Sequence, residues 1–125
     1  MTYELLKEVV RGLLAGATSG AVYYEDAPNT AEYPYTVFDF DRDDTRDFFR
    51  DDVRLNVDVW DRGTNPITVE AIGDQIDAAL NYLNYPSGVL LPTFFREVRY
   101  SMPDKDKALK RHHMEYTIQT YEKEH

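Results

Sequence analysis

Cysteine is absent from this 125-residue chain, and that absence removes disulfides, thiolate metal sites and cysteine nucleophiles together. It fits a reducing compartment. Long apolar runs are missing as well: nothing approaches the roughly 20 consecutive apolar residues of a membrane span. Near the amino terminus Glu4, Lys7, Glu8 and Arg11 interrupt the apolar residues, unlike a signal peptide, so the protein is expected to be cytosolic where it is made. Basic charge is scarce, with 14 Lys and Arg against 23 Asp and Glu, a formal charge of −9. Phosphate binding draws on clustered cations, so this balance argues against a dedicated nucleic-acid reader.

Catalytic patterns are also lacking. There is no Gly-rich phosphate loop and no G-x-S-x-G elbow. Ser87 and Ser101 have no histidine close by in sequence. His112 and His113 are adjacent, so on a strand they point to opposite faces, and no HExxH spacing or third nearby histidine completes a zinc set. Paired carboxylates are abundant in any chain this acidic and carry little information. The sequence therefore names no catalytic residue, no metal and no cofactor. An active site assembled from residues distant in sequence is the one enzymatic route left open.

What is present reads as one domain over residues 1–125, of ordinary size and 42% hydrophobic. Leu5, Leu6, Val9, Leu13 and Leu14 recur at helical spacing after a Thr2 cap, predicting a helix from about Thr2 to Ala15. Gly16 to Gly20 ends it. Ala21–Tyr24 is a short strand candidate. Beyond a polar loop, Tyr33–Phe40 reads as a strand with Pro34 at its entry or edge. Its two faces are both apolar, Tyr35 and Val37 on one and Phe38 and Phe40 on the other, as for a strand covered on both sides.

Val53, Leu55, Val57 and Val59 alternate with Arg54, Asn56, Asp58 and Trp60, one face core and the other wet, which favours an antiparallel sheet. Thr64-Asn65-Pro66 opens a second helix whose stripe is Val69, Ile72, Ile76, Ala79, Leu80 and Leu83. Two strands follow: Phe94–Met102, with Phe94, Val98, Tyr100 and Met102 on its more apolar face, and Arg111–Tyr121, with Met114, Tyr116 and Ile118 inward. The expected fold is α+β in the order α-β-β-β-α-β-β. A mainly antiparallel sheet of about four strands carries both helices on one face.

The stretch from Asp39 to Asp52 opens like a calcium loop, but Asp44 stands where Gly is needed and Arg50 where a bidentate Glu belongs. Arg42, Arg46 and Arg50 recur every four residues among the acids, as in a charge-compensated loop or a contact with a neighbouring subunit. Phe48 and Phe49 lie inside it, and Trp60 sits on the polar face of the cleanest strand. Aromatics beside arginines are typical interface anchors. Arg42, Arg46, Phe48, Phe49, Arg50 and Trp60 are therefore the candidate subunit or partner interface.

The succession of elements is similar to the tail-completion, or tail-terminator, family of long-tailed bacteriophages and prophages. It consists of an amino-terminal helix, then Val22-Tyr23 through Ala27-Pro28 to Tyr33-Pro34-Tyr35. Leu55 to Asp61, the Val69-to-Asn81 helix and a closing hairpin with Met102-Pro103-Asp104 before Arg111 to Tyr121 complete it. The resemblance spans nearly the whole chain as a pattern of elements, without a signature motif. It implies a non-enzymatic subunit of the virion tail, made in the host cytoplasm, that forms a six-fold ring on the head-proximal end of the tail tube. Such a ring stops tube growth and offers the surface for head–tail joining. The implied partners are further copies of itself, the tail tube protein and a head connector or stopper protein, with no membrane. DNA would pass through the ring without specific binding, as an acidic lining would favour. The free subunit is left open between monomer and ring. The alternatives are another connector part, such as a head-closure protein, or a small acidic regulator that binds a host protein.

Overall fold

The computed structural model describes residues 3–18, 20–41, 51–86 and 91–120. The elements follow in the order α1 (Tyr3–Ala17), β1 (Ala21–Tyr24), β2 (Tyr35–Asp41), β3 (Asp51–Arg62), α2 (Ile67–Leu80), β4 (Thr93–Met102) and β5 (Leu109–Thr120). The α+β order is the one expected from hydrophobic periodicity.

Each helix contributes one line of side chains. On α1 the fully buried line is Leu6, Val10 and Leu14, at i, i+4 and i+8, while Leu5 is 46% exposed. At its end Thr18 closes the last turn by donating both its backbone N–H and its hydroxyl to the Leu14 carbonyl. On α2 the buried line is Val69, Gly73, Ile76 and Leu80. Asn65 starts this helix by accepting the Ile67 N–H on its side-chain oxygen at 3.1 Å, satisfying one of the donors a helix start leaves free. Both lines enter one cluster with Phe38, Val53, Leu55, Val57, Val59, Phe94, Met114, Tyr116 and Ile118. The two helices therefore cover the same face of the sheet. Full burial is worth roughly 1.5–3 kcal/mol for each large aliphatic side chain, enough for a helix to be held by its stripe alone.

The sheet has five strands in the order β1-β2-β3-β5-β4. β2 pairs with β3, β3 with β5 and β5 with β4, all antiparallel. β3 and β4 thus run parallel with β5 between them, and α2 is the crossover that joins them. The strand candidate at Ala21–Tyr24 brings the expected sheet of about four strands to five: β1 adds to the outer edge of β2 in parallel, from Ala21 opposite Tyr35 to Tyr24 opposite Phe38. So short an edge strand is secured by aromatic packing, with the Tyr24 ring 5.2 Å from Phe38 and 6.0 Å from Phe40.

One correction concerns β4. The pairing with β5 shifts between Arg96 and Val98, so Glu97 is an extra residue and the face reverses at that bulge. Phe94, opposite Ile118, is in the core. Val98, Tyr100 and Met102, opposite Glu115, His113 and Arg111, lie on the other side of the sheet. The four do not share one apolar face as their period-2 spacing suggests.

Candidate functional site

Two polar assemblies stand out, one on each side of the sheet. The first lies between α2 and the β4–β5 hairpin. His112 is 4% exposed, beneath Gly73 of α2, and cross-strand pairing places Ser101 directly opposite it. Arg99 Nε donates to His112 Nε2 at 2.8 Å. With Nε2 accepting, the imidazole hydrogen sits on Nδ1, which lies 3.1 Å from Ser101 Oγ, and Ser101 in turn donates to Glu70 Oε1 at 3.1 Å. Arg99 is also ion-paired with Asp74 and donates to the Glu70 carbonyl.

Hydrogen bonding therefore runs from Arg99 through His112 and Ser101 to Glu70. A serine nucleophile needs the reverse direction, with the histidine accepting the hydroxyl proton. Burial, and then the Arg99 charge, hold the His112 pKa below the ordinary imidazole value, against the opposing pull of Glu70 and Asp74. Nearby, the Tyr116 hydroxyl donates to Asp77 Oδ1 at 2.8 Å, and Arg96 pairs with the other Asp77 oxygen at 2.6 Å. Burial, the Asp77 hydrogen bond and the Asp77 charge push the Tyr116 pKa far above the tyrosine range. These contacts clasp α2 to the hairpin.

The second assembly is on the face away from both helices. Asp58 Oδ1 accepts from Arg111 Nε at 2.8 Å and faces His113 Nδ1 at 2.7 Å. His113 Nε2 lies 3.1 Å from Glu115, Tyr100 packs on the His113 ring, and Asn56 donates to Asp39 at 2.9 Å. The Arg111 guanidinium stands over the Trp60 ring, 4.9 Å from its centre, an arrangement worth about 0.5–1 kcal/mol at an exposed site. Tyr23, Tyr33 and Tyr35 form an aromatic row beside it, with ring centres 5.9 and 5.2 Å apart. Burial and the neighbouring Tyr33 raise the Tyr35 pKa. A shallow groove runs here between Glu25, Asp26, Tyr35, Asp39, Asp58 and Trp60. Among the described residues no three metal-ligating side chains are grouped to hold an ion.

Trp60 is thus on the outer face, half-buried, where strand alternation puts it. Arg42, Arg46, Phe48, Phe49 and Arg50 lie outside the described residues. The residues that accompany Trp60 were not singled out from sequence. Alternation along β5 does put Arg111, His113 and Glu115 on one face, but only the β3–β5 register brings them against Asp58 and Trp60. His112 and His113 do point to opposite faces, as their adjacency requires.

No family model and no curated protein matches the chain. Among solved structures, a chain from the virion of a native gene transfer agent particle shares the fold. Its TM-score is 0.70 at 13% identity, with 86% of this chain and 84% of that one covered. A second solved chain, identified only by a sequence label, matches at TM-score 0.73 and 16% identity over 100% and 99% of the two lengths.

Proposed function

We propose that this chain is a non-enzymatic virion part that caps the head-proximal end of a phage-like tail tube as a ring, ends tube growth and presents the surface for head–tail joining. The observation that carries this reading is the fold likeness to a gene transfer agent virion chain over most of both lengths. The order of elements that resembles the tail-terminator family supports it from the sequence side. The physical chemistry agrees. The polar groups of both assemblies are spent on one another, and the serine–histidine contact has the wrong proton direction for hydrolysis. The outer face, with Trp60, Arg111 and the tyrosine row, has the aromatic and arginine content of a protein contact surface. The net charge of −9 lets DNA pass a ring without adhering.

The test is deletion of the gene from its phage or prophage, followed by electron microscopy of the particles. Tails of uncontrolled length, or tails not joined to heads, are the expected result. Filled heads that lose their DNA beside tails of normal length would instead assign the chain to head closure, and normal virions would refute the assembly role.

A further inference from the structure

The groove on the outer face is built by strand alternation. Tyr35, Val37 and Asp39 are alternate residues of β2, and β3 sets Trp60 opposite Tyr35 and Asp58 opposite Val37. Their side chains form its floor. The rim comes from the connection that leaves β1. Glu25 has a positive φ of 67°, and its N–H is held by the Phe38 carbonyl at 2.8 Å. The connection is thus pinned to β2, with Glu25 and Asp26 exposed at the groove's edge.

Charge in this groove is unbalanced. Four carboxylates line it (Glu25, Asp26, Asp39 and Asp58) against one cation, Arg111. Arg111 is committed to Asp58. Asp39 accepts from the neutral Asn56 amide, and among the described residues no cation is paired with Glu25, Asp26 or Asp39. The cations nearby are engaged elsewhere: Arg54 with Glu115, Arg62 with Asp106 and Lys7 with Glu4. Residues 20–41 supply no Lys or Arg of their own. Arg111 also shows what this floor accepts, since its guanidinium lies over the Trp60 ring while Nε donates to Asp58. A flat guanidinium meets an aromatic face and a carboxylate at once, which a compact ammonium does less well.

We propose that this groove docks an arginine-bearing segment of a protein partner. The incoming guanidinium lies against the Tyr35–Trp60 floor and donates to Asp39, while Glu25 and Asp26 balance its charge from the rim. Charge complementarity selects this occupant. Nucleic acid and acidic peptides are repelled by the three carboxylates that lack a cation, and a metal ion finds no group of three ligating side chains among the described residues. The groove is complete within one chain, so this docking does not depend on the ring.

Trp60 is the single tryptophan, so its emission reports on the groove directly. The probe is a short glycine–serine peptide bearing a pair of arginines, titrated against the full chain. A saturable change in Trp60 emission is expected. The same peptide with lysines should bind at least several-fold more weakly, and with citrulline, planar but neutral, not measurably. Asp39→Asn and Glu25→Gly should each weaken the arginine peptide several-fold. Glycine adopts a positive φ freely, so Glu25→Gly should hold or raise the melting temperature, which separates lost binding from lost fold. Glu8→Gln, on α1 across the sheet, should leave the affinity unchanged. No saturable change, equal affinity for lysine and arginine, or an equal loss in Glu8→Gln would each overturn the assignment. So would an emission change that grows with protein concentration alone, since that would place a second copy in the groove.

Discussion

Gly73 lies where α2 passes closest to β5, and the space a side chain would need there is taken. A methyl group on its Cα would fall inside van der Waals contact of His112 Cδ2, at 2.8 Å from His112 Nε2 and 3.3 Å from Arg99 Nη2. In an unhindered helix interior, Gly→Ala gains about 1 kcal/mol. Here the methyl must push the imidazole aside, and overpacking typically costs about 1–3 kcal/mol. The displaced ring also loses the Arg99 bond to Nε2, worth about 1.5–3 kcal/mol as a charge-assisted contact. The expected net effect of Gly73→Ala is a loss of about 1.5–5 kcal/mol, read as a lower urea midpoint with the slope unchanged. The diagnostic arm is the same change in a His112→Ala background, where the obstacle is gone and Gly73→Ala should become stabilising by up to about 1 kcal/mol. A glycine needed for some other reason would keep the same sign in both backgrounds, and that result would refute the reasoning.

Four further outcomes are expected. Because the His112 pKa is held below its unfolded value of 6.5, the unfolded chain takes up this proton first; stability should fall as pH drops through 6.5 toward the folded value, and His112→Gln should flatten that slope in urea melts. Tyr116, with its pKa raised, should remain un-ionised in native absorbance titrations past pH 10; the unfolded phenol ionises near pH 10.0, so stability should decline above that pH, less so in Tyr116→Phe. Ser101 should resist a fluorophosphonate probe, because His112 offers it a hydrogen instead of accepting one, and labelling at Ser101 would reopen an enzymatic reading. Melts in EDTA and in millimolar calcium should coincide, since the Asp39–Asp52 stretch departs from the calcium pattern at two positions; a calcium-induced rise of several kcal/mol by linkage would contradict this.

The parts of the fold that were legible in sequence are those where one face is dry and the other wet. Val53, Leu55, Val57 and Val59, and Met114, Tyr116 and Ile118, are all buried as their alternation requires, because a strand covered on one side cannot slip by one residue without exposing its core set. The helices were legible for the same reason, although on α1 the buried line runs through Val10 and leaves Leu5 partly outside. Illegible features were those in which the backbone breaks period. The Glu97 bulge carries no marker in Arg96-Glu97-Val98, and it reverses every side chain after it. The parallel seat of β1 depends on where the connection after Tyr24 returns to Tyr33, and strand composition does not encode that path.

The candidate surfaces were hidden by a different cause, namely that polar partners meet across strands at separations only register can supply. Ser101 and His112 are eleven positions apart and face each other because Tyr100 opposes His113. Asp58 finds Arg111 and His113 across the β3–β5 ladder at separations above fifty.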